Sequence, residues 1–205
     1  MNLGMAATSP ITDVLDQFIP NPDLRIHHTV MIHAPAALAL GAARTFDLRR
    51  VPLVRLIFRL RAVILRAKAA EPDWSLGFLP VMLGIGWGLL ATEPDRWLIA
   101  GTVCQPWLGD VAMRPIPPGS FREYSEPNQV KIAWTLEAEP MGEALCRFST
   151  ETRVVATDDQ ARAAFRRYHQ RFGIGMAMIR WLLLPAIRHA TEDRYRKAAT
   201  PAPPV

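Results

Sequence analysis

His27, His28 and His33 lie within one short stretch and invite a metal or proton-transfer reading. The metal reading fails on geometry. The surrounding sequence alternates like a strand, so His27 and His28 point to opposite faces. His27 and His33 share a face but lie about 20 Å apart along an extended strand. That leaves His28 as a core or pocket histidine, able to move a proton if a substrate lies beside it. The acids Glu123, Glu126, Glu137, Glu139, Glu143 and Glu151 are scattered over turns and polar strand faces. Glu151 sits between Arg147 and Arg153 on one face, which reads as a surface charge ladder rather than an acid catalyst. Cys104 and Cys146 form no Cys-x-x-Cys pair and read as reduced, partly buried thiols in a cytoplasmic setting. There is no Gly-x-Ser-x-Gly elbow, no His-Glu-x-x-His pattern and no phosphate-binding glycine loop. The sequence therefore names no catalytic residue, no metal site and no cofactor.

The chain has 205 residues, enough for one domain with a sizeable core, and a net charge of +5 that is mostly arginine. No nucleic-acid motif accompanies that charge and aromatics are not interleaved with it, so nucleic acid is not an expected partner. Residues 74–92 carry no charge and are barely long enough to span a bilayer. Pro80, Gly77, Gly84, Gly86 and Gly88 make them a poor isolated helix, and a transmembrane segment is not expected. Residues 1–7 lack the basic start of a secretory signal.

The elements that must position any site follow from periodicity. A short helix is expected over 11–18, after a disordered start at 1–9. Leu24, Ile26, His28, Val30 and Ile32 form the inner face of a strand over 24–33. Small residues at 36–46 suit a helix packed closely on a sheet. Pro52 opens a second helix reaching about residue 68, with Leu53, Leu56, Ile57, Leu60, Val63 and Ile64 on one arc. Arg55, Arg59 and Arg66 fall on the other side, as a solvated face or as a weak contact with anionic lipid. Strands are expected over 84–93 and 96–105, joined by a tight turn at Pro94-Asp95. Trp87, Leu89 and Ala91 would share a face, as would Trp97, Ile99, Gly101 and Val103. Residues 106–120 form a loop long enough to be a lid or mouth. A short strand over 121–125 and two longer ones over 130–138 and 145–156 complete a sheet with one dry and one wet face.

Thr157-Asp158-Asp159 offers cap oxygens and acids to the start of a final helix running to about residue 197. Gly173 and Gly175 predict a kink or break, so two bent segments are expected rather than one rod of roughly 60 Å. Residues 198–205 read as a mobile tail.

This order of elements resembles the START-like or SRPBCC superfamily, the polyketide cyclase and lipid-transfer group, over residues 24–194. The resemblance is carried by Ile32-His33-Ala34-Pro35-Ala36, Gly101-Thr102-Val103 with Trp107, residues 121–127, Ala133-Trp134 and Ser149-Thr150-Glu151-Thr152-Arg153. It implies an α+β helix-grip fold of order β-α-α-β(n)-α, a curved antiparallel sheet wrapped around a long C-terminal helix with a cavity between them. The domain would span 24–197, after an N-terminal extension over 1–23. The cavity implies an apolar small molecule, lipid- or polyketide-like, as partner. Its candidate lining is His28, Val30, Trp87, Trp97, Trp134, Phe148 and Thr150 on the sheet, with Met176, Ile179 and Leu183 on the closing helix. A carrier is the leading expectation. A cyclase- or dehydratase-like enzyme and a non-catalytic interaction or membrane-surface protein are the alternatives.

Overall fold

The computed structural model describes residues 10–68 and 72–199. The order is α1 (Pro10–Phe18), β1 (Leu24–Ile32), α2 (Ala36–Arg44), α3 (Pro52–Ile64), α4 (Phe78–Gly84), β2 (Gly88–Glu93), β3 (Trp97–Cys104), α5 (Pro118–Phe121), β4 (Val130–Gly142), β5 (Leu145–Ala156) and α6 (Asp159–Ala199). The strands form one antiparallel sheet in the order β1-β5-β4-β3-β2. The long C-terminal helix packs on it, giving the α+β helix-grip arrangement. The expected disorder at 1–9 lies outside the described residues, as does the tail from residue 200 onward.

Register fixes what each strand offers. On the inner face, His28 pairs with Thr150, Val30 with Phe148 and Ile26 with Thr152 between β1 and β5. Trp134 and Thr152 face each other from β4 and β5. On β3, Leu98, Ala100, Thr102 and Cys104 continue this face towards α4. Small side chains bring α2 close: Ala39, Leu40, Ala42 and Ala43 are all buried. Among the described residues no helix is long and apolar enough to cross a membrane.

The opposite face is not the wet one that alternation suggests. Ile11, Leu15, Phe18 and Ile19 of α1 and its exit cover it, packing with Trp97, Ile99, Val103 and Phe121 in a second core. Under the same cover the expected surface ladder becomes a buried ion network. Arg153 bonds Glu151, Asp16 and the Ile19 carbonyl, and Arg25 bonds Glu151 from the edge. The Arg153 side chain is 2% exposed and that of Glu151 7%. Burial pushes the Glu151 carboxyl up, but Arg25 and Arg153 outweigh it and hold the pKa below its ordinary value.

Three further expectations are corrected. The final helix is unbroken over 41 residues, Gly173 and Gly175 included. Gly175 lies where α3 crosses: a Cβ there would come within 3.3 Å of Ile57 Cγ2. The glycine thus serves close helix packing rather than a bend, which offsets its helix cost of about 1 kcal/mol. Residues 78–84 form α4, and 118–121 form the single turn α5 where a strand over 121–125 was expected. The strand over 84–93 begins later, at Gly88, and bulges between Leu89 and Ala91. The bulge parts Trp87, on the inner core, from Leu90 and Ala91, which join the outer one.

Candidate functional site

The inner side holds two packed regions. One gathers Val30, Trp87, Trp134, Phe148, Ile179 and Leu183, with α2 and α4 behind them. Trp87 and Trp134 meet edge to face at 5.9 Å, and Phe78 closes on Trp134 at 5.4 Å. The buried indole nitrogens of Trp87 and Trp134 have no hydrogen-bond partner among the described residues. The second region collects Cys104, Val130, Val154, Phe165 and Tyr168, with Met176 against it. Burial pushes the Cys104 thiol up to about 12 and that of Cys146 to about 11, so neither is a thiolate.

Of the ten residues expected to line a cavity, six therefore meet in the first region: Val30, Trp87, Trp134, Phe148, Ile179 and Leu183. Met176 lies in the second. His28 and Thr150 face each other on the inner side of β1 and β5. Trp97 is the exception. It alternates onto the outer face of β3 and packs in the core under α1.

Arg180, which the pattern did not single out, enters this inner face from α6. Its Nη2 donates to Thr152 Oγ1 at 2.7 Å and its Nη1 to the Met176 carbonyl at 3.0 Å. Among the described residues no carboxylate pairs with it. Burial pulls its pKa below the ordinary arginine value. Burial, then the charge of Arg180 and then that of His27, lower the pKa of His28 below 6.5, keeping the imidazole neutral at pH 7. The signal for Arg180 was in the sequence. Met176, Arg180, Leu183 and Ile187 follow the i, i+4, i+7, i+11 spacing of one buried arc, with a cation at its second place.

Beside this cluster, between β1 and α6, runs a groove of about 440 Å³ lined by Leu24, Ile26, His169, Gln170, Gly173, Ile174 and Ala177. It continues into a smaller hollow of about 180 Å³ that reaches Asp23 and Arg162. Gly173, Ala177 and Arg180 stand on one side of α6 at successive turns, and Ile26 is the register partner of Thr152. Arg180 is not itself part of the groove wall; it follows Gly173 and Ala177 one turn further along the same side of α6. The loop over 106–120, expected as a lid, is tied down at its start. Arg61 donates to the Pro106 and Leu108 carbonyls and the Lys68 amide to Asp110. No group of three or more possible metal ligands occurs among the described residues.

No family model matches the sequence, and no curated protein does. The structure is similar over most of its length to several solved ones. The Zhui aromatase/cyclase of Streptomyces sp. R1128 matches at 12% identity and TM-score 0.31, covering 87% of this chain and 99% of that one. A conserved protein of Geobacillus kaustophilus matches at 11% and 0.37, over 85% and 97%. The norcoclaurine synthase of Thalictrum flavum, in complex with dopamine and hydroxybenzaldehyde, matches at 13% and 0.36, over 98% and 99%. Similarity at this level carries no chemistry across, and the site stands on its own residues.

Proposed function

We propose that the chain is a cytoplasmic binder or carrier of an amphipathic small molecule. The apolar body of the ligand lies in the groove between β1 and α6, and its anionic head meets Arg180. The observation that carries this reading is the desolvated Arg180 guanidinium, bonded by a hydroxyl and a carbonyl but, among the described residues, by no carboxylate. A charge in that position is costly unless an opposite charge joins it. Arginine has five N–H donors in a planar fork, and a carboxylate can take two of them at once. The groove volume of about 440 Å³ falls within the usual range of small-molecule sites. At Gly173 a Cβ would come within 2.9 Å of the His169 ring, so the glycine is what lets that ring line the groove.

The cyclase- or dehydratase-like alternative rests on one group, the neutral imidazole of His28, which can accept a proton near Arg180. The carrier reading needs only groups that bind.

The test compares a fluorescent fatty acid, cis-parinaric acid, with its methyl ester. The acid should bind about tenfold more tightly than the ester, and Arg180→Met should erase that preference while ester binding persists. Equal binding of acid and ester by the unaltered protein, or binding of neither, defeats the proposal.

A further inference from the structure

Helix α3 is amphipathic, yet its apolar arc is the side turned away from the protein. Val54 is fully buried, and Leu65 just past the helix packs in the second inner region. By contrast Leu53, Leu56, Leu60, Val63 and Ile64 are exposed, Val63 by 73%. Helix α6 repeats the anomaly with Ile174, Met178 and Trp181, of which Ile174 is 78% and Trp181 70% exposed.

Two contacts show that these arcs form one surface. Arg61 bonds the Tyr168 hydroxyl at 3.0 Å, and Ile57 lies against Gly175. Four residues back along α3 correspond to seven forward along α6, so the helices are antiparallel. At 100° per residue, Leu53, Leu56, Leu60, Val63 and Ile64 lie on one side of Ile57, with Phe58 on the other, and Ile174, Met178 and Trp181 lie on one side of Gly175. In an antiparallel pair these sides coincide. They lie opposite the sides through which Val54, Leu183 and Ile187 reach the core.

Charge identifies the occupant. Residues 48–68 carry seven cations and no acid, and residues 160–191 carry six cations and no acid. Those stretches hold more than half of the 24 lysines and arginines and none of the 19 acids. Arg167 and Arg171 share the side of Ile174 and Met178, one and two turns before them, while Arg59 and Arg66 border the α3 arc. A basic rim round an apolar face matches an anionic bilayer, with the apolar side chains in the headgroup boundary and the arginines on phosphates.

We propose that the outer faces of α3 and α6 dock this protein on an anionic phospholipid surface. This differs from the arginine-only contact that the helical pattern suggests, because leucines, valine, isoleucines and Trp181 supply the contact and the cations flank it. Ile174 belongs both to this surface and to the groove wall. The docking stands whether or not the groove binds a ligand.

The experiment is co-sedimentation of the full chain with vesicles of phosphatidylcholine alone or with a third of phosphatidylglycerol. Tryptophan emission is read in parallel. Binding should require the anionic lipid, weaken in high salt and shift emission to the blue, with much of the shift lost in Trp181→Phe. Leu60→Asp with Val63→Asp, both at exposed positions, should cut vesicle affinity at least tenfold without lowering Tm. Arg167→Gln and Arg171→Gln should each cut it about fivefold. No preference for anionic vesicles overturns the proposal, as does unchanged binding by the double aspartate variant. So does a dimer that this variant dissociates while the unaltered protein ignores vesicles, because the face would then join two copies of the chain.

Discussion

At the scale of single residues, half-buried His28 and fully buried Arg153 make opposite demands. His28 is held neutral: its folded pKa lies below the ordinary 6.5 of the unfolded chain. Between those values the unfolded state binds more protons, so stability falls as pH falls. The contribution is complete above 6.5 and is lost as pH drops through the folded value. Chemical denaturation from pH 7.5 to 5 should show that slope, and His28→Gln should remove it. Arg153 instead must stay charged. Arg153→Met leaves the Glu151 carboxylate buried with only Arg25 beside it, and should cost about 3–5 kcal/mol. Arg147→Met breaks the exposed pair with Glu139 and should cost less than about 1 kcal/mol. Equal losses in urea titrations would refute the buried network. Both sites were half legible. Alternation placed His28 inward and joined Glu151 to Arg153, but alternation within a strand says nothing of what covers it.

Among the elements, one tight constraint lies where α4 turns into β2. Gly86 has a φ of +105°, and a Cβ there would sit 2.3 Å from the Met113 carbonyl oxygen. Thr102 Oγ1 donates to the Gly86 carbonyl at 2.9 Å, fixing the same turn to β3. Gly86→Ala meets both backbone strain and overlap with main chain, and should destabilise by about 2–4 kcal/mol, read as a fall in Tm. Gly41, with open space round its Cβ position, is the control: Gly41→Ala should leave Tm unchanged or raise it slightly. Helix boundaries were readable where local chemistry sets them. Asp158 accepts from the Ala161 amide at 2.7 Å and caps α6, as the acids at that point suggest. The expected break at Gly173 and Gly175 failed because glycine permits a bend but also permits contact, and Ile57 supplies the contact.

For the whole molecule, the sheet is covered on both faces and the helical layer presents apolar surface outward. Sequence alone determined β1, β3, β4 and β5, the inward side of β1, and the capped start of the final helix. These follow from period and caps, which are local and repeat within a few residues. Tertiary structure decided the rest. It put α1 over Trp97 and Arg153, turned the apolar arc of α3 away from the core, and set Arg180 beside Thr152. A helical wheel identifies an apolar arc but not its direction, because amphipathicity is the same whether that arc meets core or bilayer. Only the positions of the neighbouring elements choose between them.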